Sequence, residues 1–384
     1  MSSTPLPTEC FLEIIKYVNS RDVLHQLVCV NHQFREITLP FLYRTVSLCR
    51  EQSVRQFCRT LEKGIDLARL VDSFSIASSA SPDDEYPEFL HGIHVALKNM
   101  VFLTDLSIRL IEQPPYQNRH WIFENTTFQL RRLELRMDYD SALISFLMRQ
   151  PALQSLTLLG AVPDHLSSLR LELPPSALPQ LSHFHGHYTQ ALALVPGRAV
   201  KSLHITQVDD TGDFEPSDVF VCLRDTVDTI ARSQNAEILE ELTVDDEDGD
   251  YGLLEFILSS IPTIKSITLF VPQHGHSWRR YSSPEWPTHL RKLVENKPIS
   301  LERLNTNHDG YARQPLAQLA PLPVLPIFQY SRYFPRLSGG RAGFHNSIWF
   351  GAGEPQLMQE YTIRNWKATF PALVNVPSSE GSNS

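Results

Sequence analysis

Catalytic signatures are missing from this 384-residue chain. It has no Gly-x-Ser-x-Gly turn to lift a nucleophile, no P-loop, no dinucleotide fingerprint after a strand and no His-Glu-x-x-His pair. Gly339, Gly340, Arg341 and Gly343 come nearest to a phosphate loop, but no Lys-Ser/Thr follows them and they read as a turn. An α/β enzyme would therefore lack an acid, base or nucleophile cluster, and no cofactor is implied. Long apolar runs are missing too: none approaches the roughly 20 residues needed to cross hydrocarbon. The first residues lack the basic and apolar regions of a secretory signal, so the expectation is an intracellular protein, cytoplasmic or nuclear, without a membrane partner. Cysteine is scarce. Cys10, Cys29, Cys49, Cys58 and Cys222 are odd in number and show no Cys-x-x-Cys spacing, which predicts reduced and mostly buried thiols. Positive charge is short as well: a net charge of −9 argues against nucleic acid, whose affinity rests on neutralising phosphates. What remains, 42% hydrophobic and 20% charged, is the composition of a globular chain with length for two or three domains.

The first 45 residues carry the sharpest local pattern. Pro7 stands where a fixed φ and a missing N–H cost least, at a helix start, and Glu9 complements the positive end of the dipole. Cys10, Phe11, Ile14, Ile15 and Val18 then recur as one apolar stripe of helical period. Asn19 and Ser20 supply stop and cap chemistry for a second helix with Asp22 in its first turn and Val23, Leu24, Leu27 and Val28 as its apolar positions. A third short helix, from about Asn31 to Ile37, offers Phe34 and Ile37. Leu39-Pro40 is expected to end it, since a residue before proline is pushed out of the helical region. Three helices of this size enclose only a modest core. Either they cap the following domain, or part of their stripe faces another molecule, in which case Ile14, Val28 and their neighbours should not be enclosed by the rest of the chain.

The run Leu6-Pro7-Thr8-Glu9-Cys10-Phe11-Leu12-Glu13-Ile14-Ile15, with Cys29-Val30-Asn31-His32-Gln33-Phe34-Arg35 leading into the third helix, resembles an F-box. Phe34 stands where an aromatic, often tryptophan, is usual; it keeps the bulk and loses the indole N–H. The resemblance implies the module by which substrate receptors of SCF-type ubiquitin ligases dock onto a Skp-family adaptor and, through it, a cullin. By that resemblance the adaptor contact falls to Leu6, Pro7, Glu9, Ile14, Ile15, Leu24, Leu27, Val28, Cys29 and Phe34.

Beyond this module a weak repeat emerges in the form Leu-x-x-Leu-x-Leu, which turns two apolar side chains inward from a short strand. It runs through Leu103, Leu106 and Ile108; Leu130, Leu133 and Leu135; Leu153, Leu156 and Leu158; Leu181 and Phe184. It continues through Val200, Leu203 and Ile205; Leu239, Leu242 and Val244; Ile264, Ile267 and Leu269; Leu301 and Leu304. The first residues are separated by 27, 23, 28, 19, 39, 25 and 37 positions, mostly near the 20 to 29 of leucine-rich repeats. The two long steps imply insertions around Asp209 to Ser233, with a helix at Val219 to Ala231, and around Gln273 to Pro298. Helical returns are predicted at Ser141 to Arg149 and Tyr251 to Ser260, and Pro151, Pro179 and Pro262 introduce the following strands. The repeats lack the asparagine ladder of the regular families. The expected fold class is thus α/β: a three-helix F-box-like module followed by an irregular leucine-rich-repeat-like solenoid of short parallel strands and helices. A non-repetitive α/β domain would also suit alternating strands and helices.

A solenoid would place the residues flanking the inward positions on the opposite, concave face. That face is predicted to present Asp105, Ser107 and Arg109; Arg132, Glu134 and Arg136; Ser155, Thr157 and Leu159; His183, His185 and His187; Ser202, His204 and Thr206; Glu241, Thr243 and Asp245. It runs from mainly basic through histidine-rich to acidic, which suits a protein partner better than a metabolite wanting one deep apolar pocket. The candidate client-binding residues are Arg109, Arg132, Arg136, His183, His185, His187, His204, Glu241 and Asp245. Three alternate histidines on one strand span too far to close a tetrahedron, so His183, His185 and His187 are read as exposed and not as a metal site. The acidic run Asp245 to Asp250 departs from the EF-hand register and reads as a solvated loop.

The domain reading is 1–48 for the F-box-like module, 49–310 for the solenoid, 311–376 for a proline- and aromatic-rich cap, and 377–384 for a disordered tail. The function expected is a non-catalytic receptor that brings a protein client to a ubiquitin ligase. The alternative is an intracellular scaffold that docks the adaptor without a client.

Overall fold

One backbone hydrogen-bond motif recurs from strand to strand in the computed structural model, which describes residues 7–78, 86–110, 120–136, 141–160, 173–206, 216–233, 237–245, 251–271, 303–308 and 327–331. The carbonyl of the residue just before one strand accepts N–H groups from the residues that open the next. Asp72 receives Thr104 and Asp105, Thr104 receives Arg131 and Arg132, Arg131 receives Gln154 and Ser155, Gln154 receives Ser182 and His183, and Ser182 receives Lys201 and Ser202. Glu240 receives Lys265 and Ser266 in the same manner. Recurrence of one contact at one place is what a chain produces when each strand–connection step repeats the last.

The chain divides into two compact units, the first formed by 1–212 with 232–238, the second by 213–231 with 239–384. In the first, helices α1 (Thr8–Lys16), α2 (Arg21–Val28) and α3 (His32–Arg44) lead into β1 (Thr45–Leu48). There follow α4 (Glu51–Lys63), α5 (Ile65–Ala68), β2 (Ser73–Ser78), α6 (Tyr86–Asn99), β3 (Asp105–Leu110), a 3-10 turn (His120–Phe123), β4 (Arg132–Leu135), α7 (Ser141–Leu147), β5 (Ser155–Leu158), β6 (His183–His187), α8 (Tyr188–Leu194) and β7 (Ser202–Thr206). Each of these strands pairs in parallel with the next. In the second unit, α9 (Pro216–Arg232), β8 (Glu241–Asp245), α10 (Tyr251–Ser260), β9 (Ser266–Val271), β10 (Arg303–His308) and β11 (Ile327–Ser331) follow, again with parallel neighbours in chain order. Both units are α/β, with only parallel pairs among the described strands.

The inward positions behave as the Leu-x-x-Leu-x-Leu frame demands. Phe74, Ile76, Leu106, Ile108, Leu133, Leu135, Leu156, Leu158, Phe184, Leu203 and Ile205 are all at most 2% exposed, and the residues between them are not buried. The connecting elements close over this layer. Val54, Cys58 and Leu61 recur along α4 at helical spacing and are buried, and Phe146 of α7 stacks on Phe123 at 4.4 Å and meets Phe128 edge-on at 6.1 Å.

Glutamines act where an asparagine ladder is lacking. The buried Gln150 amide accepts from Leu130 N–H at 2.8 Å and donates to Phe128 C=O at 3.4 Å, so one side chain ties two successive connections. Gln190 accepts from His187 N–H at 2.9 Å and donates to Gly160 C=O at 3.3 Å. It occupies the space over Gly186, where a Cβ would lie 2.5 Å from its Oε1. That is why the frame at Leu181 and Phe184 lacks a third apolar residue. Between β5 and β6 the turn at 173–180 is held by Arg198, only 2% exposed, whose guanidinium donates to the carbonyls of Leu173, Pro174, Ala177 and Leu194. Adjacent Leu178 is buried with φ of 55°, a left-handed conformation that costs a leucine about 1–2 kcal/mol and needs such a clamp.

Several expectations require correction. The third helix does not stop at Leu39: α3 continues through Pro40 to Arg44. A proline inside a helix costs about 3 kcal/mol. Packing beyond it compensates, because Tyr43 stacks on Phe57 at 6.1 Å, Phe57 meets Phe74 at 5.5 Å, and Val46 is enclosed. The thiols are not mostly buried: Cys10, Cys29 and Cys49 are exposed, and only Cys58 is enclosed among those described, its pKa pushed up to about 12 by burial. Strands β1 and β2 precede the first repeat recognised in the sequence, on the frames Tyr43-x-x-Val46-x-Leu48 and Val71-x-x-Phe74-x-Ile76. Strand β11 lies within the segment read as the terminal cap. The helical returns predicted at 141–149 and 251–260 fall on α7 and α10, and the helix predicted within the first insertion, at 219–231, falls on α9.

Candidate functional site

Two surfaces of the first unit collect the residues of interest. The first is the outer side of α1 and α2. Ser20 caps α2 through Val23 N–H, and Asn31 caps α3 through Phe34 N–H at 2.9 Å. Gln33 Nε2 donates to Thr8 Oγ1 at 3.2 Å and joins α3 to α1. These bonds set the helices so that the α1 stripe divides: Ile15 is 2% exposed and Phe11 packs edge-on against Phe34 at 5.0 Å, whereas Ile14 is 58% exposed. On α2, Leu24 is buried while Val23 is 41% exposed.

Among the residues assigned to adaptor contact, Pro7, Glu9, Ile14 and Cys29 are exposed, Leu27, Val28 and Phe34 are half-buried, and Ile15 and Leu24 are inside. Leu6 lies outside the described residues. Tyr17, 80% exposed, and Val30, 60% exposed, are further apolar side chains in water on this module and are absent from the residues assigned by resemblance. Their signal was available in the helical spacing, since Tyr17 lies three residues after Ile14 and Val30 three after Leu27.

The second surface is the sheet face opposite the buried layer. Registered neighbours form polar rows across β2 to β5: Ser73, Asp105, Arg132 and Ser155 in one, Ser75, Ser107, Glu134 and Thr157 in the next. Arg132 grips Asp105 with two bonds of 2.5 and 2.8 Å, which raises the guanidinium pKa further. Glu134 accepts from Ser107 at 2.9 Å and pairs with Arg109 at 3.1 Å. Here the face is charge-compensated and not mainly basic, because the arginines read as a basic end meet carboxylates from the adjoining strand. An open recess of about 240 Å³ lies over these rows.

Farther along, His183 is exposed and half-buried His185 stacks on His204 with centroids 3.9 Å apart and planes 9° from parallel. His187 is buried, contrary to its expected exposure, because it ends β6 as the cap residue of α8, its Nδ1 lying 2.8 Å from Thr189 Oγ1. Burial pushes the pKa of His185 and His187 down to about 4, and the charge of His204 adds to the effect at His185. Parallel stacked rings direct their lone pairs along parallel lines, which does not converge on one ion. No group of three His, Cys, Asp or Glu side chains able to hold a metal occurs among the described residues.

Arg136 is half-buried. In the second unit Glu241 is exposed and Asp245 closes β8, its side chain lying outside the described residues, as does the acidic run that follows it. No helix among the described residues is long and apolar enough to cross a membrane.

No family model matches the chain, and no curated protein is similar to it.

Proposed function

We propose that this chain is a substrate receptor of an SCF-type ubiquitin ligase, docking a Skp-family adaptor, and through it a cullin, with α1 to α3 and offering the strand-and-helix region to a protein client. The observation that carries the reading is the divided stripe of the opening helices: Ile15 and Leu24 fill a small core, while Ile14, Tyr17, Val23 and Val30 stay in water. Ile14 and Tyr17, three residues apart on α1, share a face of that helix, and exposed apolar side chains of this kind mark a site of association. The F-box resemblance of residues 6–35 names the associate, and the parallel succession of strands suits the leucine-rich-repeat-like region expected behind such a module. The chain itself performs no chemistry in this scheme. It raises the effective concentration of a client beside enzymes carried by other subunits.

Co-purification of the full chain with a Skp-family adaptor and cullin tests the first half. Ile14→Asp together with Val30→Asp is expected to abolish adaptor capture while the thermal unfolding midpoint stays within about 2 °C. Capture by the double variant at the level of the parent would remove the receptor reading. Capture of the adaptor with no client accumulating under ligase inhibition would favour a docked scaffold instead.

A further inference from the structure

The sheet face over β2 to β5 offers hydrogen bonds and almost no unspent charge. In the two registered rows the central residues satisfy one another: Asp105 with Arg132, and Ser107 with Glu134, which also meets Arg109. The flanking Ser73 and Ser155 of one row, and Ser75 and Thr157 of the other, carry hydroxyls that no described residue engages, and all of them line the recess. Its volume of about 240 Å³ falls below the ~300–1,000 Å³ of pockets that enclose a whole small molecule. Strands about 4.8 Å apart make the crossing from β2 to β5 roughly 14 Å, the reach of four or five extended residues.

An acidic segment laid there would compete for Arg132 and Arg109 while lying beside Asp105 and Glu134. A basic one would meet Arg109, Arg132 and Arg136. Each would strip an ion of water and leave it facing its own sign. Neutral amides and hydroxyls meet no such penalty, because each donates and accepts, as the serine and threonine hydroxyls of the recess also do.

We infer that the recess over β2 to β5 takes an extended, uncharged polar segment of a client polypeptide, rich in Asn, Gln, Ser or Thr, laid across the strands. The inference rests on the reading of this face as the client's side, and it is narrower, since it states the chemistry of what is held.

Panning a randomised linear peptide library on the immobilised full chain tests it, with parallel rounds at low salt and at about 1 M salt, where the screening length falls to about 3 Å. Enrichment of neutral Asn/Gln/Ser/Thr-rich peptides that survive high salt is the expected result. For the enriched peptide, Ser75→Ala and Thr157→Val are each expected to weaken binding roughly 2- to 10-fold, the loss of one hydrogen bond, and Ser75→Trp, which fills the recess, to abolish it. Enrichment of Asp/Glu-rich or Lys/Arg-rich peptides, binding that collapses at high salt, indifference to Ser75→Trp, or no enrichment would each overturn the inference. Adaptor capture by the same preparation separates the two ideas. If adaptor is captured while the peptide prediction fails, the receptor reading stands without this inference. If neutral peptides enrich while adaptor is not captured, the inference stands and the receptor reading falls.

Discussion

The opening helices and the strand succession use apolar residues in opposite ways. In β3, Ile108 is fully enclosed, and the same holds for the inward residues of its neighbours. In α1, Ile14 is 58% exposed one residue before a buried Ile15. The contrast follows from size and periodicity. A strand offers alternate residues to one layer, so a period of two sorts inside from outside completely. Three short helices enclose too little volume to hide a stripe as wide as theirs. A stranded layer can be completed by its own connections, whereas the helical module leaves the work unfinished, and the unfinished part is where an associate gains most from binding.

Breaking the closed layer should cost the most. Phe146→Ala removes a ring held between Phe123 and Phe128 and is expected to destabilise the first unit by about 3–5 kcal/mol, read from the midpoint of chemical denaturation. Ile14→Asp, by contrast, should change stability by no more than about 0.5 kcal/mol in the same measurement, as befits an exposed side chain. Arg198→Met comes next, with an expected loss of about 3 kcal/mol. It strands buried carbonyls at Leu173, Leu194 and their neighbours that a thioether cannot satisfy, and it frees the turn that holds Leu178 left-handed.

Acid sharpens the comparison differently, since it acts on the stranded region through histidines whose charge burial forbids. His185 and His187 are held neutral, with pKa values near 4 against the usual 6.5. The unfolded chain takes up protons at these groups below about pH 6.5 and the folded chain does not until about pH 4. Their stabilisation is therefore complete above about pH 6.5 and is lost as pH falls from there toward 4, by up to roughly 3 kcal/mol for each. Denaturation midpoints measured between pH 7 and pH 4.5 should show this decline. His185→Phe, which keeps a ring against His204 and removes one of the two titrations, should roughly halve it.

Much of this organisation is legible in the residues, and the misses have physical causes. The Leu-x-x-Leu-x-Leu frame located β3 to β10, because inward burial is a local property of alternate residues. β1 follows the same frame but opens it with Tyr43 at the edge of the helical module, and β11 follows Pro326 directly, so a search anchored on leucine, isoleucine and valine beyond that module misses both; the β2 frame, Val71, Phe74 and Ile76, was legible by the same rule. The end of α3 was misread because propensity at Pro40 was weighed without the packing of Tyr43 on Phe57, a contact between residues of different elements. The charge of the sheet face was misread for the same kind of reason. Arg132 and Asp105 are distant in sequence and become neighbours only through the register of β3 and β4. His183 is exposed and His187, on the same face of β6, is covered by the start of α8, a contact that alternation along the strand does not reveal.

A smaller effect than those on the stranded layer probes the module's own modest core. Thr38 of α3 is fully buried, and its hydroxyl has no hydrogen-bond partner, two residues before Pro40 deprives the helix of a backbone donor. A buried hydroxyl without an acceptor has lost its water and gained nothing in return, so Thr38→Val should raise stability by about 1 kcal/mol, visible as a higher thermal midpoint. The two side chains have nearly the same shape, and the change therefore isolates the polar atom from packing. A drop in stability would mean that the hydroxyl is engaged in solution, and that the core between α1 and α3 is looser than its burial indicates. On the proposed reading the outer face of the module serves adaptor capture and not folding, so Thr38→Val should leave capture as it was, while Ile14→Asp should remove capture and leave stability.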